Sequence, residues 1–194
     1  PLSANHMERY YEQLADSIPC PLILYNNPIT VKQSIPLDVI EQLSHHQNIV
    51  GIKDSERGMD RLDQSVELWG KRNDFVHLLG WTVQSAYALL KGSAGIVPST
   101  GNFVPGLYRN LYDAALQKDQ TKAYEYQEKA NRLSDIYIKD RNISHSIPAL
   151  KFIVSLTGLC QPFVLPPLIL PDLKEQQVIR EMVMSEPELL HQTD

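Results

Sequence analysis

Basic residues, cysteine and long apolar runs are all scarce in this chain, and glycine-rich phosphate loops are missing. Lys and Arg number 18 against 23 Asp and Glu, for a net charge of -5 and a pI of about 5.7. That balance leaves no basic face for a phosphate backbone, so nucleic acid is not an expected partner. The longest apolar stretches, such as VSLTGLCQPFVLPPLIL, are interrupted by prolines and polar residues. None offers the roughly 20 unbroken apolar residues of a membrane span, and no membrane association is expected. The two cysteines, Cys20 and Cys160, make neither a CxxC pair nor a disulfide framework, a pattern that suits a reducing cytoplasm. SLTGLC lacks the GxSxG pattern, and no base is placed to make Cys160 a nucleophile. The six histidines are scattered. The adjacent pair His45 and His46 falls at a helix end, where solvation or dipole capping accounts for them better than metal ligation. Neither a metal nor a cofactor is expected.

What is present is an ordinary globular composition, 43% hydrophobic and 21% charged over 194 residues, with a clear rhythm. ANHMERYYEQLAD has helical spacing behind a possible N-cap at Ser3. Pro19 and Pro21 then bracket the short run PLILY, and PLDVIEQLS predicts a second helix with proline in its first turn. IVGIK predicts a strand, MDRLDQSVELWGKR a helix, FVHLLG a strand, TVQSAYALLKG a helix and AGIVPS a strand. Apolar runs near residues 21, 49, 75 and 94, each followed by an amphipathic helix, mean repeated βα units and a parallel sheet. Beyond residue 104 the strands stop, and the remaining segments read as helices, the last after the proline-rich link PFVLPPLILPD. No low-complexity tract or charge block separates the parts, so a single domain with a helical C-terminal layer is expected.

Two parallel architectures compete. A doubly wound sheet carries a glycine-rich phosphate loop at a strand-to-helix turn, and no GxGxxG or GxxxxGK[ST] occurs. A (βα)8 TIM barrel carries its chemistry at the C-terminal ends of its strands. Here the unusual residues sit at those ends: Tyr25, Lys53, Gly80 and Ser99. The barrel is therefore expected, although only four of its eight strands are visible in the sequence.

Lys53 closes the buried run IVGIK. A strand-terminal lysine has a plain explanation, in that it snorkels outward or pairs with Asp54. Against this, Tyr25 ends the preceding strand, and neighbouring strands lie about 4.8 Å apart, so the two side chains converge if both point inward. Counting back by two puts Ile23 and Gly51 on the same side, where Gly51 leaves room. An amine held at the mouth of an apolar barrel is poorly solvated as an ammonium, which favours a neutral, nucleophilic fraction. Such an amine forms a Schiff base with a ketone, and an adjacent phenol shuttles protons as the carbinolamine forms and collapses. Asp54 and Glu56, just past the lysine, are read as orienting the loop or binding backbone amides, with direct acid/base work as the alternative. His77 has the opposite parity to Gly80 on its strand and is expected to face the helices.

LILYNNP, then IVGIKDS, then GSAGIVPSTGNFVP closely resemble the dihydrodipicolinate synthase and N-acetylneuraminate lyase family of class I aldolases. The resemblance covers essentially the whole chain, including IPALK in the helical layer. It implies a (βα)8 barrel of which this chain holds the second half: residues 1–104 as the C-terminal half of the barrel, and 105–194 as its last helix and the helical layer. In that family the strand ending YNxP supplies a tyrosine and the strand ending G[IL]K the Schiff-base lysine, which are Tyr25 and Lys53 here. The family barrel has about one hundred further residues ahead of Pro1, given roughly 250 for a whole barrel. They carry the hydroxyl- and glycine-rich loop for the pyruvate carboxylate and a second tyrosine. The chain is thus expected to be truncated or part of a longer one.

The same resemblance implies an enzyme in the cytoplasm, a homo-oligomer of two or four subunits, acting on pyruvate and an aldehyde or a 2-keto acid. It places Thr30, Ser55, Gly80, Trp81, Thr82, Val97 and Ser99 near the incoming substrate. Dihydrodipicolinate synthases have an arginine where Thr30 stands, which meets a carboxylate of the second substrate. Hydroxyls at Thr30, Ser55, Thr82 and Ser99 suit a 2-keto-3-deoxy sugar acid instead, with Trp81 closing one side. Each also has a plain explanation: Thr30 as a turn residue, Trp81 as packing at a helix start, Ser99 as a capping hydroxyl. The alternatives carried forward are 4-hydroxy-tetrahydrodipicolinate synthesis from pyruvate and aspartate semialdehyde, and a non-catalytic relative that binds 2-keto acids.

Overall fold

A computed structural model describes residues 1–186. Its contacts divide the chain into two compact units, Pro1–Pro98 and the residues from Ser99 onward. The first unit alternates strands and helices. Helix α1 (Ala4–Ser17) begins where the Ser3 hydroxyl accepts the amide N–H of His6, as the N-cap reading expects. The strands are β1 (Leu22–Asn26), β2 (Ile49–Asp54), β3 (Val76–Leu79) and β4 (Gly95–Ile96). Between them lie α2 (Pro28–Val31), α3 (Leu37–Leu43), α4 (Met59–Trp69) and α5 (Ser85–Lys91), the last after a single 3-10 turn at Thr82–Gln84.

All four strands are parallel and lie in the order β1-β2-β3-β4. Each pairs with the next in the sequence, without the reversal of order that marks a doubly wound sheet. This is the strand arrangement the barrel expectation requires. Two details differ from the sequence reading. Pro36 is the N-cap of α3 rather than a residue of its first turn. The stretch after Tyr25 contains a four-residue helix, with Pro28 at its start and Lys32 left-handed at its end.

Alternation along the strands builds two different faces. Leu24, Ile52, His77 and Leu79 are buried on the helix side. There Leu24 and Ile52 join Met7, Val39, Ile40, Leu43, Trp69 and Phe75 in one apolar cluster, and Leu79 packs with Leu62 and Ala88 in a second. The other face carries Ile23 and Tyr25, both substantially exposed, with Gly51 and Lys53 beside them. Gly51 is demanded by packing, because a Cβ there would stand 2.6 Å from Val76 Cγ2 and 2.7 Å from the Val76 carbonyl oxygen.

The second unit is helical, with α6 (Pro105–Leu116), α7 (Gln120–Ile138), α8 (Ile143–Leu156) and α9 (Leu173–Met184). Asp119, Asn142 and Asp172 cap α7, α8 and α9 by accepting backbone N–H groups. Arg141 ties α9 to the end of α7, its guanidinium 2.8 Å from Glu175 and bonded to the Ile136 carbonyl at 3.0 Å. Among the described residues no helix is long and apolar enough to cross a membrane.

Candidate active site

Tyr25 and Lys53 are direct register partners across β1 and β2. Both point to the face away from the helices, and Lys53 Nζ lies 4.3 Å from the centroid of the Tyr25 ring. An ammonium over a ring face is held by the ring's quadrupole. The amine rests on the ring and not on the hydroxyl, whose oxygen accepts an N–H from Asn27 Nδ2 at 2.9 Å. A donor on the phenol oxygen stabilises developing phenolate and leaves the phenolic proton free for transfer. The same register row continues through Leu78 to Gly95. Lys53 therefore stands between Tyr25 and Leu78 in that row, with its amine over the Tyr25 ring.

Lys53 does not pair with Asp54. Adjacent residues of a strand face opposite ways, and Asp54 lies 3% exposed on the helix side. There its Oδ2 takes Arg61 Nε at 2.8 Å, while its Oδ1 accepts Asn26 Nδ2 at 2.8 Å and the Glu56 amide at 2.9 Å. Glu56 accepts from Asn26 Nδ2 at 2.9 Å and from the Ser34 hydroxyl. Desolvation raises the affinity of the Glu56 carboxyl for a proton, but the Ser34 and Asn26 hydrogen bonds and the Arg61 charge outweigh it, and it titrates below the usual range. Asp54 and Glu56 thus organise the loop, and among the described residues Lys53 is left without an ion pair.

The other expected site residues fall in five places. Ser55 and Gly80 meet: the Ser55 amide bonds the Asn26 carbonyl at 2.9 Å, the Gly80 amide bonds the Asp54 carbonyl at 2.6 Å, and a Cβ on residue 80 would stand 2.1 Å from Ser55 Oγ. Val97 continues the ladder past β4, its amide 2.8 Å from the Leu79 carbonyl, with its side chain exposed. Trp81 packs against the Leu62, Leu79 and Ala88 cluster at the start of the 3-10 turn that holds Thr82, whose carbonyl accepts the Ser85 hydroxyl at 2.8 Å. Thr30 is exposed in α2 and donates its hydroxyl to the Asn27 carbonyl at 3.1 Å, the bonding of a turn residue. Ser99 belongs to the second unit, where its hydroxyl lies 2.6 Å from Tyr137 Oη.

His77 faces the helices as its parity requires, 1% exposed and stacked on Trp69. The Ser93 hydroxyl lies 3.0 Å from both the His77 carbonyl and His77 Nδ1. With the serine proton directed at a carbonyl, Nδ1 carries the imidazole proton, and Nε2 has no hydrogen-bond partner among the described residues. Sequence inspection missed Asn26, Asn27, Ser34 and Arg61. Their one advance signal was chemical, because an aspartate that ends a buried strand needs a cation.

The sequence matches the family model described as "Dihydrodipicolinate synthetase family" over residues 1–185. A 4-hydroxy-tetrahydrodipicolinate synthase of Idiomarina loihiensis is 29% identical over 182 residues, 94% of this chain and 59% of the relative. YagE of Escherichia coli K12, provisionally named a 2-dehydro-3-deoxy-D-gluconate aldolase, is 30% identical over 141 residues, 72% of this chain and 47% of the relative. The YagE crystal structure, solved in complex with pyruvate, superposes with a TM-score of 0.85 and covers 95% of this chain and 62% of its own. Dihydrodipicolinate synthase of Bacteroides thetaiotaomicron gives a TM-score of 0.88 at 26% identity, covering 95% of this chain and 62% of that one. The chain spans about three fifths of the length of these proteins, so its parallel βα units form part of a TIM barrel. A family model that matches residues 1–185 and a fold shared over 95% of the chain place one conclusion beyond the local geometry: the chain belongs to the dihydrodipicolinate synthetase family.

Proposed function

We propose that this chain supplies the imine-forming half of a class I aldolase that acts on pyruvate or a 2-keto acid and cleaves or makes a carbon-carbon bond in a 2-keto-3-deoxy sugar acid. The observation that supports it is the register pair itself, an amine without an ion pair among the described residues, lying 4.3 Å from a phenol ring whose oxygen is held by Asn27. Neutral Lys53 Nζ adds to the keto carbon, and the resulting carbinolamine loses its hydroxyl as water once that oxygen is protonated. Tyr25 hands over that proton and takes one back when the imine hydrolyses. In the cleavage direction the Tyr25 phenolate left by that transfer takes the proton of the substrate's C4 hydroxyl, the C3–C4 bond breaks, and its electron pair flows into the imine to leave an enamine and an aldehyde. Protonation of the enamine carbon and hydrolysis then release pyruvate.

A second reading, condensation of pyruvate with aspartate semialdehyde, is favoured by the names of several relatives. It is the weaker of the two because Thr30 offers a hydroxyl where that substrate's carboxylate would need a cation. The testing experiment treats the full-length protein with borohydride in the presence of pyruvate. The expected result is a stable adduct on the peptide that contains Lys53. An adduct on Lys91 or Lys151 instead would remove the central claim.

A further inference from the structure

Resting on that reading, we infer that Asp54, held by Arg61 and Asn26, is the positioning residue of the Tyr25–Lys53 pair and of the loop that carries Thr30. The strands that present the pair each continue by one residue to the opposite face, and those next residues, Asn26 and Asp54, are again register partners. Their side chains bond to each other at 2.8 Å and are 1% and 3% exposed. Asn26 Oδ1 also accepts the Ile35 amide at 3.0 Å, which closes the base of the loop from Asn27 to Ser34. Arg61 reaches back from α4 to the same base, donating to Asp54 at 2.8 Å and to the Ile35 carbonyl at 3.0 Å. One guanidinium and one amide thus join the end of β1, the end of β2, the far end of the Thr30 loop and the first turn of α4.

Side chains on the two faces of a strand share one backbone. A shift of Asp54 or Asn26 rotates Lys53 or Tyr25, and rotation alters the distance between amine and phenol that the proton transfers depend on. A carboxylate and a guanidinium in a dry site form strong, directional hydrogen bonds, which is what positioning needs. Neither group can touch substrate on the pair's face.

The test uses Asp54→Asn, which keeps shape and loses charge, and Arg61→Met, with Arg61→Lys as the conservative counterpart, all in the full-length protein. Active sites are counted by borohydride trapping of labelled pyruvate at Lys53, so that misfolded material drops out of the rate. Per trapped site, kcat is expected to fall by about a hundredfold in Asp54→Asn and Arg61→Met. The KM for the 2-keto acid should change far less, and the basic limb of the kcat pH profile should move. Arg61→Lys should recover part of the rate. Crystal structures of the two disabling variants should show the Lys53–Tyr25 separation changed from 4.3 Å. Parental kcat and pH profile per trapped site, or an unchanged pair in those crystals, would overturn the positioning role while the Lys53 adduct stood. Absence of the adduct from the parent protein would overturn the imine reading and this inference with it.

Discussion

At the scale of single residues, the hydroxyl of Tyr25 carries a prediction separable from packing. Phenylalanine keeps the ring under Lys53 Nζ and deletes only the oxygen that Asn27 holds. Turnover of Tyr25→Phe should fall by roughly two to four orders of magnitude with the fold intact by circular dichroism. Turnover equal to the parent's would place the proton shuttle elsewhere. Thr30 carries the question of substrate. A second substrate with its own carboxylate needs a cation at that loop, and Lys32, the nearby alternative, is the left-handed cap of α2. The expected outcome is a higher kcat/KM for pyruvate release from 2-keto-3-deoxygluconate than for pyruvate consumption with aspartate semialdehyde. Thr30→Arg should move that ratio toward aspartate semialdehyde by about tenfold, the worth of one charge-assisted hydrogen bond. A parent that prefers aspartate semialdehyde tenfold would show that another cation fills the role.

At the scale of elements, β3 holds a group that links stability to pH. Burial keeps the His77 imidazole neutral and lowers its pKa from 6.5 to about 4, with Asp54 opposing that shift and Arg61 adding to it. The folded state thus binds a proton less readily than the unfolded chain between those values. Stability is fully present above about pH 6.5 and falls as pH drops toward 4, by on the order of 3 kcal/mol at about 1.4 kcal/mol per unit. Urea unfolding of His77→Gln should show a flatter slope across that window. An unchanged slope would assign the pH dependence to other groups. The strands themselves were legible because short apolar runs between prolines, glycines and amphipathic helices leave few alternatives. The pairing of Tyr25 with Lys53 followed from strand parity. Helix α2 was not legible, since four residues show no period, and neither was the clamp around Asp54, whose side-chain partners Asn26 and Arg61 come from β1 and α4 and share no spacing with it or with Ile35, the loop residue they both bond.

At the scale of the whole molecule, β1 and β4 are the sheet's outer strands, and each has a free edge among the described residues. The face beside them leaves Ile23 45% and Tyr25 50% exposed, much more than a covered sheet face allows. Open edges and bare apolar positions invite pairing with other chains. Residues 1–194 produced alone should therefore associate, seen as large species by light scattering after size exclusion, and should lack aldolase turnover. A soluble, fully active monomer would refute this. The strand order has a further consequence for how the chain reaches its native state. Since β1 meets β2, β2 meets β3 and β3 meets β4, each pairing closes only the stretch between consecutive strands, two helices in the first case and one in the others. Loop-closure entropy stays small at every step, and the sheet can grow in one direction as synthesis proceeds, each strand docking on the one made before it without waiting for the rest of the polypeptide.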